Sequence, residues 1–205
     1  MKTNKEAFSD YLLLEKKYSL HTVGAYMSDI ISFESFVKES FDQESIDLVN
    51  YSQVRSWIVF LVDQDISNVS VNRKMSSLKA FYKFLLKTKQ IEVSPMLKHK
   101  SLKTPKIVQI PFSEKELKDL LVQIDAPSGF EEVRDKLIVE MFYMTGMRRA
   151  ELIGLMVKNV DVYSNVVKVL GKRNKERILP ILPIVQKQLL IYFSERNSLE
   201  QVKDG

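Results

Sequence analysis

Residues 94–112 constrain the fold most, because they separate two regions of clear hydrophobic periodicity. The segment contains three prolines, four lysines and no recurring apolar spacing, which is typical of an extended connection between domains. The 205 residues of the chain are enough for two compact domains of ~100–150 residues each. We therefore predict an N-terminal domain over residues 1–93, a basic linker over 94–112 and a second domain over 113–205.

The N-terminal region shows the apolar spacing of four amphipathic helices. The pattern predicts helices over about residues 4–17 and 20–39, the second of them capped by Ser19. A third helix is expected to open at Ser52, and a fourth at Ser70 that extends to about residue 89. The buried face predicted for the fourth helix consists of Val71, Met75, Leu78, Tyr82 and Leu85.

The region after the linker mixes helical and strand-like patterns. Ser113 and Glu116 have the spacing of a capping box, and Gly146 is expected to end an apolar helix over about residues 131–144. The breadth of apolar residues around that helix predicts burial in the centre of the domain. The overall expectation is a mainly α fold with a small antiparallel sheet. The remaining predicted elements are a short helix near 148–156, strands near 159–163, 166–170 and 176–182, and a helix that begins at Pro183.

Composition excludes several classes of function. The chain has no cysteine, so disulfides and thiolate chemistry are ruled out, and its two histidines, His21 and His99, are too far apart in sequence to suggest a metal site. Neither a P-loop nor a G-x-G-x-x-G motif is present. The N-terminus lacks the apolar run of a signal peptide, and no apolar stretch reaches membrane-spanning length. We expect a cytoplasmic protein without a metal, a nucleotide cofactor or a membrane partner.

Positive charge is concentrated on the fourth predicted helix and the segment after it. The chain has 31 basic and 26 acidic residues and a net charge of +5, yet Glu92 is the only acid between residues 73 and 106. Segregated charge of this kind favours a surface that follows phosphate groups. A solvated helix face and a solubilising tether are the alternatives. The candidate DNA-binding side chains in this region are Arg73, Lys74, Ser76, Lys79, Lys83, Lys87, Lys103 and Lys106.

Two short motifs in the second domain carry cations suited to a phosphate group. TGMRRAEL at residues 145–152 places Arg148 between the glycine that ends one helix and the start of the next. GKRNKER at residues 171–177 places Lys172 at the tip of a predicted β-hairpin. The planar fork of an arginine can hold two phosphate oxygens. Glu151 lies three residues after Arg148, so we expect it to hold that side chain, an ordinary surface pair being the alternative.

In order and spacing, these motifs resemble those of the tyrosine recombinase, or phage integrase, family and its Xer-like branch. The front of the chain is similar too, since SLHTVGAY at residues 19–26 and the stretch 70–86 resemble helices of the family's core-binding domain. The resemblance implies a four-helix, SAM-like core-binding domain that binds DNA. It also implies that the N-terminal portion of an α+β catalytic domain follows.

The resemblance implies a function in site-specific DNA recombination or integration. Family members attack a phosphodiester with a tyrosine hydroxyl, form a 3′-phosphotyrosine and later rejoin a different strand. The resemblance identifies Arg148 as the first catalytic arginine, Lys172 as the lysine that protonates the leaving 5′-oxygen, and Glu151 as catalytic support. It implies no cofactor and no metal. Further DNA contacts are expected at Thr22, Arg149, Lys175 and Arg177.

Part of the family's catalytic machinery does not occur in this sequence. No histidine follows His99, so a His-x-x-Arg segment is missing, and Tyr143, Tyr163 and Tyr192 lack the flanking pattern of the nucleophile. We therefore leave the nucleophile unassigned and expect the chain, as a fragment or a truncated product, to be inactive alone. Expected partners are double-stranded DNA and, on it, further copies or related recombinase subunits. A non-catalytic DNA-binding regulator and a helical protein-interaction module are the alternatives.

Overall fold

A computed structural model describes residues 2–106, 108–123, 129–171 and 175–199. The chain divides into two compact units, Met1–Val108 and Gln109–Gly205. The described part of the first unit is helical, whereas the second adds a small antiparallel sheet to its helices. The fold class predicted from the sequence, mainly α with a small antiparallel sheet, is confirmed.

The first unit is built from helices whose ends are set by side-chain caps. Ser19 accepts the backbone N–H of Thr22 and caps the second helix, as predicted. The predicted starts at Ser52 and Ser70 are wrong, because Asn50 and Ser67 cap these two helices two and three residues earlier. The helices are α1 (Asn4–Asp10), α2 (Leu20–Phe41), α3 (Tyr51–Asp63) and α4 (Asn68–Lys87).

The first predicted helix departs from regular α geometry. After α1 the chain continues as a π-helical turn over Tyr11–Glu15. There the N–H of Lys16 donates to the carbonyl of Tyr11 at 3.0 Å, a bond that spans five residues rather than four. The prediction of one uniform helix over residues 4–17 is therefore wrong in its second half.

Large aromatic side chains form the core of the first unit. Phe8, Phe33, Trp57 and Tyr82 are fully buried, and the ring centroids of Phe33 and Trp57 are 4.9 Å apart. The hydroxyl of Tyr82 donates a 2.7 Å hydrogen bond to the carbonyl of Ile46. This bond connects α4 to the 3-10 turn over Ile46–Leu48 that precedes α3. The whole predicted apolar face of α4 is buried: Val71, Met75, Leu78, Tyr82 and Leu85.

The first part of the predicted linker packs on α4. Met96 is buried in the core of the first unit. The side-chain amide of Asn72 donates to the carbonyl of Leu102 at 2.9 Å, and its oxygen accepts the Leu102 N–H at 2.8 Å. Asn68 donates to the carbonyl of Lys103 at 2.9 Å. These side chains satisfy the main chain of the segment, which is thus attached to the first unit up to residue 103.

The second unit arranges helices around an antiparallel sheet. Ser113 and Glu116 form the predicted capping box, with reciprocal backbone-to-side-chain bonds of 2.7 and 3.2 Å. In the sheet, whose described strands lie in the order β1-β2-β3, Val160 is opposite Val167 and Val169 is opposite Arg177. The elements are α5 (Glu114–Gln123), α6 (Phe130–Thr145), α7 (Arg149–Ile153), a 3-10 turn (Val157–Asn159), β1 (Val160–Asp161), β2 (Val166–Leu170), β3 (Glu176–Pro180) and α8 (Pro183–Asn197).

Helix α6 buries less of its surface than the sequence predicts. Its buried side chains are Val133, Leu137, Glu140 and Met141, which lie on one side of the helix, whereas Tyr143 is exposed. The core of the second unit forms where this side meets β2 and α8. The predicted burial of α6 in the centre of the domain is therefore only partial, because the buried side chains lie on one side of the helix.

Replacing Tyr82 with phenylalanine should destabilise the first unit. The change removes a buried hydrogen bond to the Ile46 carbonyl. We expect the free energy of unfolding to fall by about 1–2 kcal/mol. Urea unfolding followed by the fluorescence of Trp57, the single tryptophan of the chain, measures the change. Tyr18→Phe, at an exposed tyrosine of the same unit, is the control, and equal losses in the two variants would contradict the prediction.

Candidate functional site

The backbone of Arg148 is fixed at the junction of two helices. Helix α6 ends at Gly146, whose φ of 60° lies in the left-handed region that glycine adopts most easily. Met147 is buried in the core of the second unit, and Arg148 is the extended N-cap residue of α7. The side chain of Arg148 is 68% exposed. A well-anchored main chain therefore presents a guanidinium to solvent.

The carboxylate of Glu151 is the counter-charge of Arg148. The Glu151 side chain is only 2% exposed. Its Oε2 accepts the backbone N–H of Arg148 at 2.8 Å, and its Oε1 accepts Nη1 of the same arginine at 3.0 Å. Because a buried carboxylate is costly without partners, these bonds both satisfy the acid and orient the arginine.

Arg177 is a second partner of the same carboxylate. Its Nη2 donates to Glu151 Oε2 at 2.7 Å, and it belongs to β3, where it lies opposite Val169. The β-hairpin is thus connected to α7 through a single acidic side chain. The sequence predicts Arg177 as a candidate DNA contact. It does not predict the ion pair with Glu151, because the two residues are 26 positions apart.

The hairpin also approaches Glu151 closely at Gly171. A β-carbon at this position would lie 3.2 Å from Glu151 Oε1 and 3.3 Å from the carbonyl oxygen of Lys175. The N–H of Gly171 donates to that carbonyl at 2.8 Å, which joins the two ends of the hairpin turn. Lys172, the predicted catalytic lysine, lies outside the described residues. Its neighbour Gly171 is adjacent to the carboxylate that holds Arg148.

The contacts around Glu151 lower its pKa to about 2. The hydrogen bond from the Arg148 backbone is the largest cause, and the bond from Arg177 is the next, whereas burial acts in the opposite direction. The carboxylate therefore stays ionised at neutral and mildly acidic pH, and both arginines keep their counter-charge. The two further candidate cations of this unit, Arg149 at the start of α7 and Lys175 before β3, are exposed.

The polar face of α4 is exposed, opposite the buried face described above. We call the exposed side chains of Ser76, Lys79, Lys83 and Lys87 the basic face of α4. Lys87 has an acidic partner, since its Nζ lies 3.0 Å from a carboxylate oxygen of Glu15 in the π-helical turn. Elsewhere in the unit, Thr22 is half-buried and its hydroxyl is bonded to that of Ser19. Lys103 and Lys106 are exposed.

Arg73 and Lys74 share a buried acidic partner, Asp29 of α2. Arg73 makes a two-pronged pair, with Nη1 to Oδ2 at 2.7 Å and Nη2 to Oδ1 at 2.8 Å. Lys74 Nζ lies 3.1 Å from Oδ1, and the hydroxyl of Ser77 donates to Oδ2 at 2.7 Å. Our sequence analysis did not select Asp29. The sequence does contain one indication of its role, because Asp29 is an acidic residue on the apolar side of α2, beside Ile30.

Within residues 2–106, 108–123, 129–171 and 175–199, no group of three or more histidine, cysteine, aspartate or glutamate side chains is placed to hold a metal ion. In the same described ranges, no helix has both the length and the hydropathy required to cross a bilayer.

Known sequences match both units. The profile described as "Phage integrase, N-terminal SAM-like domain" matches residues 6–89, and that described as "Phage integrase family" matches residues 111–204. Tyrosine recombinase XerC of Pediococcus pentosaceus is 35% identical over 177 residues, which cover 84% of this chain and 58% of the relative. XerC of Staphylococcus carnosus is 29% identical over 199 residues, which cover 97% of this chain and 66% of the relative. The chain thus spans roughly 58–66% of the length of these relatives.

Solved structures share the fold. The Tn1549 transposon integrase in complex with transposon right end DNA superposes with a TM-score of 0.72 at 16% identity, over 99% of this chain and 68% of that one. The XerH recombinase bound to its difH substrate gives a TM-score of 0.63 at 18% identity, over 98% and 60% of the two chains. This chain belongs to the phage integrase family of tyrosine recombinases. Within that family it is similar to the Xer recombinases, so the resemblance seen in the sequence is confirmed.

The carboxyl group of Glu151 should titrate near pH 2 instead of near 4.5. Because the pKa is lower in the folded than in the unfolded chain, the ionised carboxylate stabilises the second unit fully above about pH 4.5. That contribution is lost as the pH falls towards 2. An NMR titration of the side-chain carboxyl carbon measures the pKa directly, and Arg177→Met should raise it.

Arg149→Met is the matched control for this titration, because it removes an equal charge from the residue next to Arg148. It should change the pKa of Glu151 much less than Arg177→Met does. Equal shifts in the two variants would mean that long-range charge, rather than the 2.7 Å bond from Arg177, holds the pKa down.

Proposed function

We propose that this chain is the DNA-binding and phosphate-holding part of a site-specific recombinase that breaks and rejoins duplex DNA through a 3′-phosphotyrosine. Its membership of a family whose curated relatives are tyrosine recombinases supports the proposal. The observation that carries it furthest is the arrangement of Arg148 and Glu151. A guanidinium that is 68% exposed is held by a carboxylate that is 2% exposed, so a fixed cation faces outwards.

The chemistry of strand exchange gives this fixed cation a role. When an oxygen nucleophile attacks a phosphodiester, negative charge accumulates on the non-bridging oxygens, and preorganised donors stabilise that charge. Glu151 engages Nη1 of Arg148, and a guanidinium carries five N–H donors in all. We assign the outward-facing donors of Arg148 to the non-bridging oxygens, and Glu151 to holding the guanidinium at the required angle.

We assign Lys172 to protonation of the leaving 5′-oxygen, on the resemblance of the GKRNKER motif to that of the family. The geometry of the residues around it supports this role. Gly171 lies against Glu151, and Arg177 is bonded to Glu151, so described residues on both sides of Lys172 are close to the counter-ion of Arg148. Lys175 and Arg149, both exposed, are proposed contacts to the DNA backbone beside the reacting phosphate.

In the first unit we propose the basic face of α4, with Arg73, Lys103 and Lys106, as the surface that contacts duplex DNA. Lys74, a candidate from the sequence, is left out because its side chain is only 17% exposed. Four exposed side chains along one side of α4, three of them lysines, support this assignment, and the apolar side is buried. Lysines placed in this way neutralise phosphates and release counterions, which makes binding strongly dependent on salt. Thr22, at the start of α2, is a further proposed contact.

Replacing Lys79 and Lys83 together with alanine should weaken duplex binding by roughly 10- to 100-fold at ~0.1 M salt, because two phosphate contacts are lost. The slope of log K against log salt should become shallower by about 1.8 for the same reason. Fluorescence anisotropy of a labelled duplex over a series of salt concentrations measures both quantities.

Lys2→Ala combined with Lys38→Ala is the charge-matched control for that experiment. Both lysines are exposed in the first unit and pair with acids, Asp10 and Glu44 respectively. If the control weakens binding as much as the α4 variant does, net charge rather than the basic face drives binding. Native mass spectrometry of the same complexes tests self-association, and two or more chains per duplex is the result predicted from the sequence.

Arg148→Ala should slow strand cleavage by about 10²–10³-fold while sparing DNA binding. Because the sequence contains no tyrosine that we assign as the nucleophile, the assay uses the chain fused in frame to the C-terminal segment of a XerC relative. Removing one fixed donor from a charged transition state typically costs about 10²–10³-fold in rate. A nicked duplex that traps the covalent protein–DNA adduct measures the rate, and anisotropy measures binding.

Arg149→Ala is the control for this assay, because it removes the adjacent exposed arginine. We expect its adduct to form within about tenfold of the unaltered rate, as for the loss of one phosphate contact. Adduct formation by Arg148→Ala at the same rate as by Arg149→Ala would rule out the role assigned to Arg148.

A further inference from the structure

Asp29 is a buried acid that forms ion pairs with two candidate DNA-binding residues, Arg73 and Lys74. Its side chain is 2% exposed, and it bonds to Arg73, Lys74 and Ser77, all from α4. Burial acts to raise the pKa of Asp29, but the bonds from Arg73, Ser77 and Lys74 outweigh that effect and hold the pKa below its usual value. The acid is therefore ionised at neutral pH. The cluster of one carboxylate and two cations keeps one net positive charge.

The two cations of this cluster have different surroundings. The side chain of Lys74 is 17% exposed, and its Nζ lies 6.0 Å from the ring centroid of Trp57, so it belongs largely to the interior. The side chain of Arg73 is 53% exposed. Both of its terminal nitrogens bond to Asp29, which fixes the plane of the guanidinium as a single bond would not. The exposed part of this plane is available to a ligand on the surface of α4.

A fixed arginine is a better phosphate ligand than a free one. A long side chain in solvent loses rotamer freedom when it binds, whereas a side chain that is already held does not lose it again. Arg73 lies one helical turn before Ser76 and two before Lys79 on the exposed side of α4. The bonds that Arg73 donates to Asp29 therefore hold the guanidinium at one end of the row formed by the basic face.

We propose that Asp29 is a positioning residue for DNA binding: it holds Arg73 in a set orientation at the end of the basic face of α4, so that the guanidinium contacts a backbone phosphate. Lys74 and Ser77 keep the carboxylate itself in place. The inference rests on the proposed DNA-binding function and adds to it an acidic residue that never touches DNA.

Removing an acid from a protein that binds a polyanion raises the net positive charge, which by itself strengthens binding. If Asp29 positions Arg73, its removal weakens binding in spite of the added charge. A purely structural role would lower thermal stability and leave the salt dependence of binding as it was.

The test compares Asp29→Asn with Asp63→Asn by duplex anisotropy over a series of salt concentrations. Asp63 is an exposed acid at the end of α3, so both variants change the net charge equally. We expect Asp29→Asn to bind about five- to tenfold more weakly at ~0.1 M salt, with a slope shallower by about 0.9, as for one lost phosphate contact. Asp63→Asn should bind at least as tightly as the unaltered protein. Equal affinities for the two variants overturn the inference.

Two more variants keep the inference testable if Asp29→Asn does not fold. Ser77→Ala removes one bond to the carboxylate without changing charge, and should weaken binding two- to threefold in a protein whose melting curve is still cooperative. Arg73→Gln should make binding insensitive to Ser77→Ala, because the side chain that is positioned has gone. A Ser77→Ala effect of equal size with and without Arg73 overturns the inference. If the unaltered protein shows no affinity for duplex DNA at low salt, the proposed function itself is wrong, and that result differs from all the others.

Discussion

A buried carboxylate persists in a folded protein only where other groups satisfy its charge, and Glu151 places this constraint on the whole second unit. Its partners are the backbone and side chain of Arg148 at the start of α7 and the guanidinium of Arg177 on β3. Glu151 is therefore satisfied only when the start of α7 and strand β3 lie side by side. The bond from Arg177 to Glu151 forms only when the sheet has formed, so the carboxylate has its full set of partners only in the folded unit.

The first unit also contains a buried acid that holds an arginine, but the two residues are much farther apart in the sequence. Asp29 is as deeply buried as Glu151, and it too holds an arginine whose outer part is exposed. The difference lies in sequence separation, which is 3 residues for Arg148 and Glu151 and 44 for Arg73 and Asp29. The local pair needs little more than a helix start, whereas the distant pair requires α2 and α4 to pack in register. Damage to the core of the first unit should therefore disturb its surface chemistry more readily.

Local physics explains what the sequence could predict. The cap at Ser19, the capping box at Ser113, the helix end at Gly146 and the apolar face of α4 each depend on residues a few positions apart. The starts of α3 and α4 were misplaced because Asn50 and Ser67 compete with later serines as caps. The bonds of Arg177 to Glu151, of Arg73 to Asp29 and of Asn72 to Leu102 join residues far apart in the chain. Periodicity and motif spacing carry no information about such pairs.

Gly171 sets the clearance between the hairpin and α7. A methyl group there would stand 3.2 Å from a Glu151 oxygen and 3.3 Å from the Lys175 carbonyl, so its neighbours would have to retreat by a few tenths of an ångström. Such a retreat is small on the scale of folding, and an alanine at this position could leave the unit intact. The proposed strand-exchange chemistry is more sensitive to position, since a displacement of ~1 Å in a catalytic site can cost about 100-fold in rate. The missing β-carbon of Gly171 thus determines how closely the hairpin can approach Glu151 of α7.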